Sequence, residues 1–184
     1  MKTVRIAEYG AGNTLSVEVA FRRLGADVSV TSEANDLLRA DLAVLPGVGS
    51  ARSAMAGLAA HELDEALRAR VAAGQPTLGI CLGLQLALDE SEEDGGVAGL
   101  SLIPGRAVLL TQGRVPRIGW ATVEPIGGAY YFAHSYVAET SAASAWSEGL
   151  VAEVRADAFV GVQFHPEKSG AAGARYLAGC LSRA

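Results

Sequence analysis

Apolar and polar positions along this chain follow two alternating rhythms. Thr3-Val4-Arg5-Ile6-Ala7 steps with period two and predicts a strand. Asn13 is placed to cap a helix running to Leu24, with Leu15, Val19, Ala20 and Leu24 on its apolar face and Gly25 ending it. Val28-Ser29-Val30 predicts a short strand, and Asp36 to Ala40 a helical turn. Leu42-Ala43-Val44-Leu45 is an unbroken apolar run stopped by Pro46-Gly47, the pattern of a parallel strand buried on both faces. Ser53 to Ala73 has helical spacing, in two pieces broken near Gly57. The second piece has Glu62, Asp64 and Glu65 first and Arg68 and Arg70 last, which suits the helix dipole. Thr77-Leu78-Gly79-Ile80 is another strand, and Leu84 to Asp89 opens another helix.

Repeated strand–helix units imply an α/β fold, a mostly parallel central sheet covered by helices. The rhythm changes after Arg106. Ala107–Leu110, Ala121–Glu124, Tyr130–His134, Leu150–Arg155 and Phe159–Phe164 are short strand-like runs separated by Gly, Pro and Ser, which suggests antiparallel strands added to the sheet in the C-terminal half. Gly173 to Leu181 reads as a closing helix. With no internal repeat and no linker, residues 1–184 are expected to form a single domain.

Composition narrows the function. Half of the residues are hydrophobic, which excludes a disordered chain, yet no apolar run reaches about 18 residues, so no membrane span is expected. The N-terminal Met1-Lys2-Thr3-Val4-Arg5 has no signal-peptide pattern, so a cytoplasmic protein is expected. A formal net charge of −5 argues against nucleic acid as a partner. Two cysteines and no CxxC pair make neither a disulfide framework nor a zinc site, so no metal or cofactor is expected. Cys180 reads as a buried thiol in a reducing compartment.

Cys81 is different. Thr77-Leu78-Gly79-Ile80-Cys81-Leu82-Gly83-Leu84-Gln85 has the form strand, Gly-x-Cys-x-Gly, helix: a nucleophile elbow with sulfur in place of oxygen. Such a turn holds the nucleophile in a strained, exposed position, Gly79 and Gly83 leave room for neighbouring chain, and the helix N-terminus favours thiolate. The Leu82 N–H would point at a developing oxyanion. The competing reading is a small buried Cys in a tight turn. A thiolate nucleophile wants an imidazole. His61 opens a charged helix and reads as solvated, and His134 has no acid close behind it. His165 ends the strand Val160–Phe164 with Glu167 at i+2, on the same side of an extended chain, where a carboxylate can hold the second ring nitrogen. Pro46-Gly47-Val48-Gly49-Ser50 after the apolar strand can supply a second oxyanion donor. Gly10-Ala11-Gly12 lacks the third glycine of a dinucleotide fingerprint, because position 15 is Leu15. The run Asp89–Asp94 reads as a solvated helix end, with one acid available to a substrate ammonium.

These residues resemble the class I glutamine amidotransferases, and among them the glutaminase subunits of imidazole glycerol phosphate synthase. The resemblance rests on Tyr9-Gly10-Ala11-Gly12-Asn13 with Ser16, Leu45-Pro46-Gly47-Val48-Gly49-Ser50 with Ala54-Met55, Gly79–Leu86 with Ser91-Glu92-Glu93, Val115-Pro116 with Gly119-Trp120, Tyr131–Tyr136, and Gly161–Ser169, in the family's order over nearly the whole chain. It implies a flavodoxin-like fold and a Cys81–His165–Glu167 triad. It further implies an oxyanion hole from Leu82 and the loop of Gly47, Val48 and Gly49, and a glutamine site of Gln85, Glu93, Ser135 and Tyr136. The implied partner is a cyclase subunit, a (β/α)₈ barrel, in a heterodimer that receives the ammonia, with Gly119, Trp120, Tyr131 and Lys168 at the interface. The aromatics Tyr130, Tyr131 and Tyr136 are candidates for the docking face or, equally, for the core. The chain departs from the family at Arg117-Ile118, where a His-Met-like pair is usual, at Asp157-Ala158, and in the short stretch from Val137 to Val151. An amidotransferase with another acceptor, a silent binding subunit and a free-standing Cys hydrolase are the competing readings.

Overall fold

The computed structural model describes residues 1–10 and 12–184; Ala11, within the glycine turn noted above, lies outside the described residues. The first half runs β1 (Thr3–Ala7), α1 (Thr14–Arg23), β2 (Asp27–Thr31), α2 (Ala34–Arg39), β3 (Leu42–Leu45), α3 (Ala51–Ala60), α4 (Leu63–Ala72), β4 (Thr77–Ile80) and α5 (Leu82–Leu86). There follow β5 (Glu90–Ser91), β6 (Val97–Ala98), β7 (Arg106–Leu109), β8 (Arg117–Thr122), β9 (Ala129–His134), β10 (Tyr136–Glu139), β11 (Ala143–Ser147), β12 (Leu150–Ala156), β13 (Phe159–Val162) and the closing α6 (Gly170–Arg183).

The main sheet has the order β11-β12-β13-β4-β3-β1-β2. From β2 to β13 every pairing is parallel, and β12 and β11 add an antiparallel edge. All residues of β3 and β4 are buried, as their unbroken apolar runs require. In open α/β sheets of this order, ligands gather beyond the carboxyl ends of the strands. The loop after β3 and the turn after β4 both lie there.

Several local expectations are corrected. On α1 the core takes Val17 and Phe21, and Leu15 and Val19 stand out in solvent. The two pairs lie about 200° apart around the helix, and the sheet has claimed the one carrying the aromatic ring. Asn13 occupies the N-cap position, but its side chain makes no capping bond. The long helical stretch breaks at His61-Glu62, where Glu62 has φ 57°, and not at Gly57. Gly57 serves closeness instead, since a Cβ there would lie 2.0 Å from the Tyr9 carbonyl oxygen. The helix after Cys81 starts at Leu82 and ends at Leu86, and the acidic run forms β5 and a short 3-10 turn (Glu93–Gly95) rather than the end of that helix. The later strands do not all extend the main sheet. β10-β7-β5-β6 make a second sheet, and β8 and β9 a separate two-stranded one.

Candidate active site

Cys81 stands where β4 hands over to α5, with φ 52° and ψ −106°. A non-glycine residue holds such a conformation at a cost of about 1–3 kcal/mol. The surroundings enforce it. A Cβ on Gly83 would lie 2.0 Å from the Leu45 carbonyl oxygen, and one on Gly79 2.8 Å from the Gly83 backbone. The Cys81 N–H donates to the Val162 carbonyl at 2.7 Å, tying the turn to β13. Leu82 is the first residue of α5, so its N–H has no partner within the helix.

β13 runs beside β4 with Val162 opposite Ile80, so the chain leaving β13 passes the elbow. That brings His165 to Cys81. His165 Nδ1 lies 2.8 Å from Glu167 Oε1, with the two side chains 3% and 1% exposed. Burial opposes a charged imidazole here, but the hydrogen bonds and charges of Cys81 and Glu167 outweigh it and push the His165 pKa up to about 9. With Nδ1 taken by Glu167, Nε2 is the nitrogen left for the sulfur. The backbone is held as well: the His165 N–H donates to the Tyr131 carbonyl at 2.8 Å, and the Ser169 hydroxyl donates to the His165 carbonyl at 2.6 Å while accepting from the Tyr131 N–H at 3.0 Å.

The other histidines separate cleanly. His61 is exposed between α3 and α4. His134 is buried, and burial pushes its pKa down to about 4. Its Nδ1 lies 2.8 Å from the Tyr136 carbonyl, which can only accept, so Nδ1 carries the proton and Nε2 keeps a lone pair.

A cavity of about 330 Å³ opens at Cys81. Three of the four oxyanion candidates, Val48, Gly49 and Leu82, line it. Gly47 is buried instead against α5, where a Cβ would lie 2.5 Å from the Leu82 Cβ. All four glutamine-site candidates, Gln85, Glu93, Ser135 and Tyr136, are in its wall. Three larger cavities, of about 400 to 600 Å³, are lined by other residues and by neither cysteine nor histidine. Glu93 is already engaged, since its Oε2 accepts the Ala51 N–H at 2.7 Å at the start of α3. Desolvation nonetheless holds its pKa above the usual carboxylate range.

Of the proposed docking residues, Gly119 and Trp120 lie on β8 and Tyr131 on β9, and none lines the cavity. Trp120 is 60% exposed on β8 and meets Tyr131 edge-on, ring centroids 6.1 Å apart. Lys168 is exposed, and Gly119 and Tyr131 are half-buried. Tyr130 is core, 3% exposed, and Tyr136 belongs to the cavity. Arg117 reaches from β8 to the Ser147 hydroxyl at 2.8 Å and Glu148 Oε2 at 2.9 Å, over the face of Phe132. Sequence reasoning passed over Gln163, whose Nε2 lies 3.6 Å from Cys81 Sγ, and Ser169. A Gln inside an otherwise apolar strand end was the available signal for the first. Cys180 behaves as expected of a structural thiol, buried and with its pKa pushed up to about 11 by burial. Among the described residues no cluster of three or more metal-ligating side chains occurs, and no helix is long and apolar enough to cross a membrane.

Comparison with known proteins bears on the family and the fold. The family profile described as glutamine amidotransferase class-I matches residues 5–183. The imidazole glycerol phosphate synthase subunit HisH of Methanothermobacter thermautotrophicus is 45% identical over 92% of this chain and 93% of its own. The protein of the same name from Chlorobaculum tepidum is 39% identical over 95% and 96%. Among solved structures, a glutamine amidotransferase crystal structure superposes with a TM-score of 0.81 at 17% identity, covering 98% of this chain and 99% of the other. PurLQS from Thermotoga maritima gives 0.76 at 16% identity over 100% and 99%. At those identities the structures speak for the fold alone.

Proposed function

From the premise that the chain belongs to the class I glutamine amidotransferase family, we propose that it is the glutaminase subunit of an imidazole glycerol phosphate synthase, acting in histidine biosynthesis as one domain spanning residues 1–184. The observation that carries the chemistry is the buried line from Glu167 through His165 to Cys81 at the elbow, facing a cavity. Cys81 Sγ attacks the side-chain amide carbon of glutamine. His165 takes the thiol proton and delivers it to the departing ammonia, and Glu167 fixes the ring and supports its charge. The oxyanion meets the Leu82 N–H and an N–H from the Val48-Gly49 stretch. The glutamyl thioester is then hydrolysed by water to glutamate. Gln85, Glu93, Ser135 and Tyr136 hold the substrate.

Its relatives are named as subunits of a synthase, which supports a partner subunit that receives the ammonia. That partner is a cyclase subunit with a (β/α)₈ barrel, forming a cytoplasmic heterodimer that works as a lyase. It combines the ammonia with an aminoimidazole-carboxamide ribonucleotide. Trp120, Gly119, Tyr131 and Lys168 form the docking face.

The test is glutamate release from glutamine by the chain alone and with the cyclase subunit and its ribonucleotide. The expected result is little release alone and a large rise in the loaded complex, abolished by Cys81→Ala. Full activity alone would replace this reading with a free-standing hydrolase. Silence in both states would remove this partner.

A further inference from the structure

Gln163 has no part in the mechanism above. It is fully buried between Val162 and Phe164, both also fully buried, so its amide must find partners inside the protein. Its Oε1 accepts from Gln85 Nε2 at 3.1 Å, and its own Nε2 lies 3.6 Å from Cys81 Sγ. Gln85 Nε2 also donates to the Tyr136 carbonyl at 3.0 Å. An amide nitrogen has two hydrogens, and both of Gln85's are thereby used. The order is forced from that end. The Tyr136 carbonyl can only accept, so Gln85 presents its NH₂, so Gln163 must answer with oxygen, so its NH₂ faces the sulfur. Rotating the Gln163 amide would set two NH₂ groups head to head and place a carbonyl oxygen against Cys81.

The sulfur's second neighbour sharpens the point. Sγ lies 3.8 Å from the Ala133 carbonyl oxygen, which suits an S–H and repels a thiolate. Gln163 N–H is the contact that gains as that proton leaves. We propose that Gln163 is a further residue of the reacting centre, an N–H donor to the Cys81 sulfur that favours the thiolate, with Gln85 and Tyr136 fixing its direction. The inference rests on Cys81 being the nucleophile and not on the identity of the substrate. The titratable groups around the sulfur are His165 with Glu167, His134, Tyr136 and Glu93 at the cavity, and Tyr9, whose hydroxyl donates to the Pro46 carbonyl. Gln163 is neutral at every pH, so its loss displaces the thiol's titration without adding a new one.

Iodoacetamide alkylation of Cys81 across about pH 5 to 10 reads this directly, in the full chain with Cys180→Ala as background. Gln163→Leu removes both the donor and the oxygen that answers Gln85, and Gln163→Met does the same at nearly the full side-chain length, neither adding a charge. Alkylation near neutral pH is expected to slow about threefold to thirtyfold in each variant, with the whole curve displaced to higher pH. Curves that superpose on the parent's in variants with unchanged circular dichroism overturn the proposal. A measurement without substitution stands beside it. The Gln163 side-chain amide protons, followed by NMR in the parent chain, should shift through the thiol's titration, and protons that stay fixed also overturn it. Displaced alkylation curves in a chain that never hydrolyses glutamine would leave this inference standing and remove the proposed function instead.

Discussion

Around Cys81, backbone meets backbone. Gly83 lies on the Leu45 carbonyl, Gly47 on Leu82, and the elbow's own N–H is bound to β13. The β8–β9 hairpin is built the other way. Six residues of one strand pair with six of the other, and among the described residues no third strand joins that sheet. One of its faces is core, where Tyr130 and Phe132 pack on Phe164; its outer face is held by a few polar bonds, from Tyr131 to His165 and Ser169 and from Arg117 to Ser147 and Glu148, while Ile118 and Trp120 remain 63% and 60% exposed. The elbow is fixed by exclusion: there is no space for another conformation. The outer face of the hairpin is fixed by bonds that a partner can compete with or tighten, and one of them ends on the backbone of His165.

Predictions follow from setting these two kinds of fixation against each other. The largest effect should come from the elbow. Gly83→Ala would drive a methyl into the Leu45 carbonyl, with a backbone atom unable to yield, and should lose more than about 3 kcal/mol in urea unfolding. A loss under about 1 kcal/mol would mean the elbow is not held by exclusion. Next is Ser169→Ala, which strips the Tyr131 N–H and the His165 carbonyl of their shared hydroxyl. It should cost about 1–3 kcal/mol and lower kcat for glutamine more than it raises KM.

Third is the pH dependence of stability. His134 is held near 4, below the unfolded value of about 6.5, so its contribution is complete above about 6.5 and is lost as pH falls from there toward 4. His165 has the opposite sign. Its pKa of about 9 gives stability that is complete below about 6.5 and lost as pH rises through 9. Stability should therefore pass through a maximum near pH 6.5, where the two limbs meet, and His134→Gln should flatten the acid limb alone. An unchanged acid limb would mean that His134 is not held neutral by burial. The smallest effect on the isolated chain belongs to Trp120→Ala, which should change its stability by no more than about 0.5 kcal/mol yet weaken coupling of glutamine use to product formation in the complex. Unchanged coupling would take Trp120 off the docking face.

What the sequence disclosed divides along the same line. The elbow was legible because Gly-x-Cys-x-Gly between an apolar run and a helix has few physical uses, and His165 followed from the acid at i+2. The end of α5 was not legible. Leu86, Ala87 and Asp89 give their carbonyls to Leu100, Leu102 and Gly99, partners more than nine residues away, and a Cβ on Gly99 would lie 2.0 Å from the Leu88 carbonyl oxygen. Local propensity cannot see such a capture. Nor can it choose between two apolar pairs on α1, or assign Gln163, whose meaning depends on the polarity of Gln85 and Tyr136 across the fold.

Glu93 has one more consequence. Its carboxylate is shared between the cavity wall and the first turn of α3, where it holds the Ala51 N–H. An ammonium bound in the cavity that draws Oε2 toward itself leaves that amide without its acceptor. The Ala51 proton thus acts as a gauge built into the backbone: its exchange with deuterium would quicken as the cavity fills, and occupancy could be timed on a hydrogen that never touches the substrate.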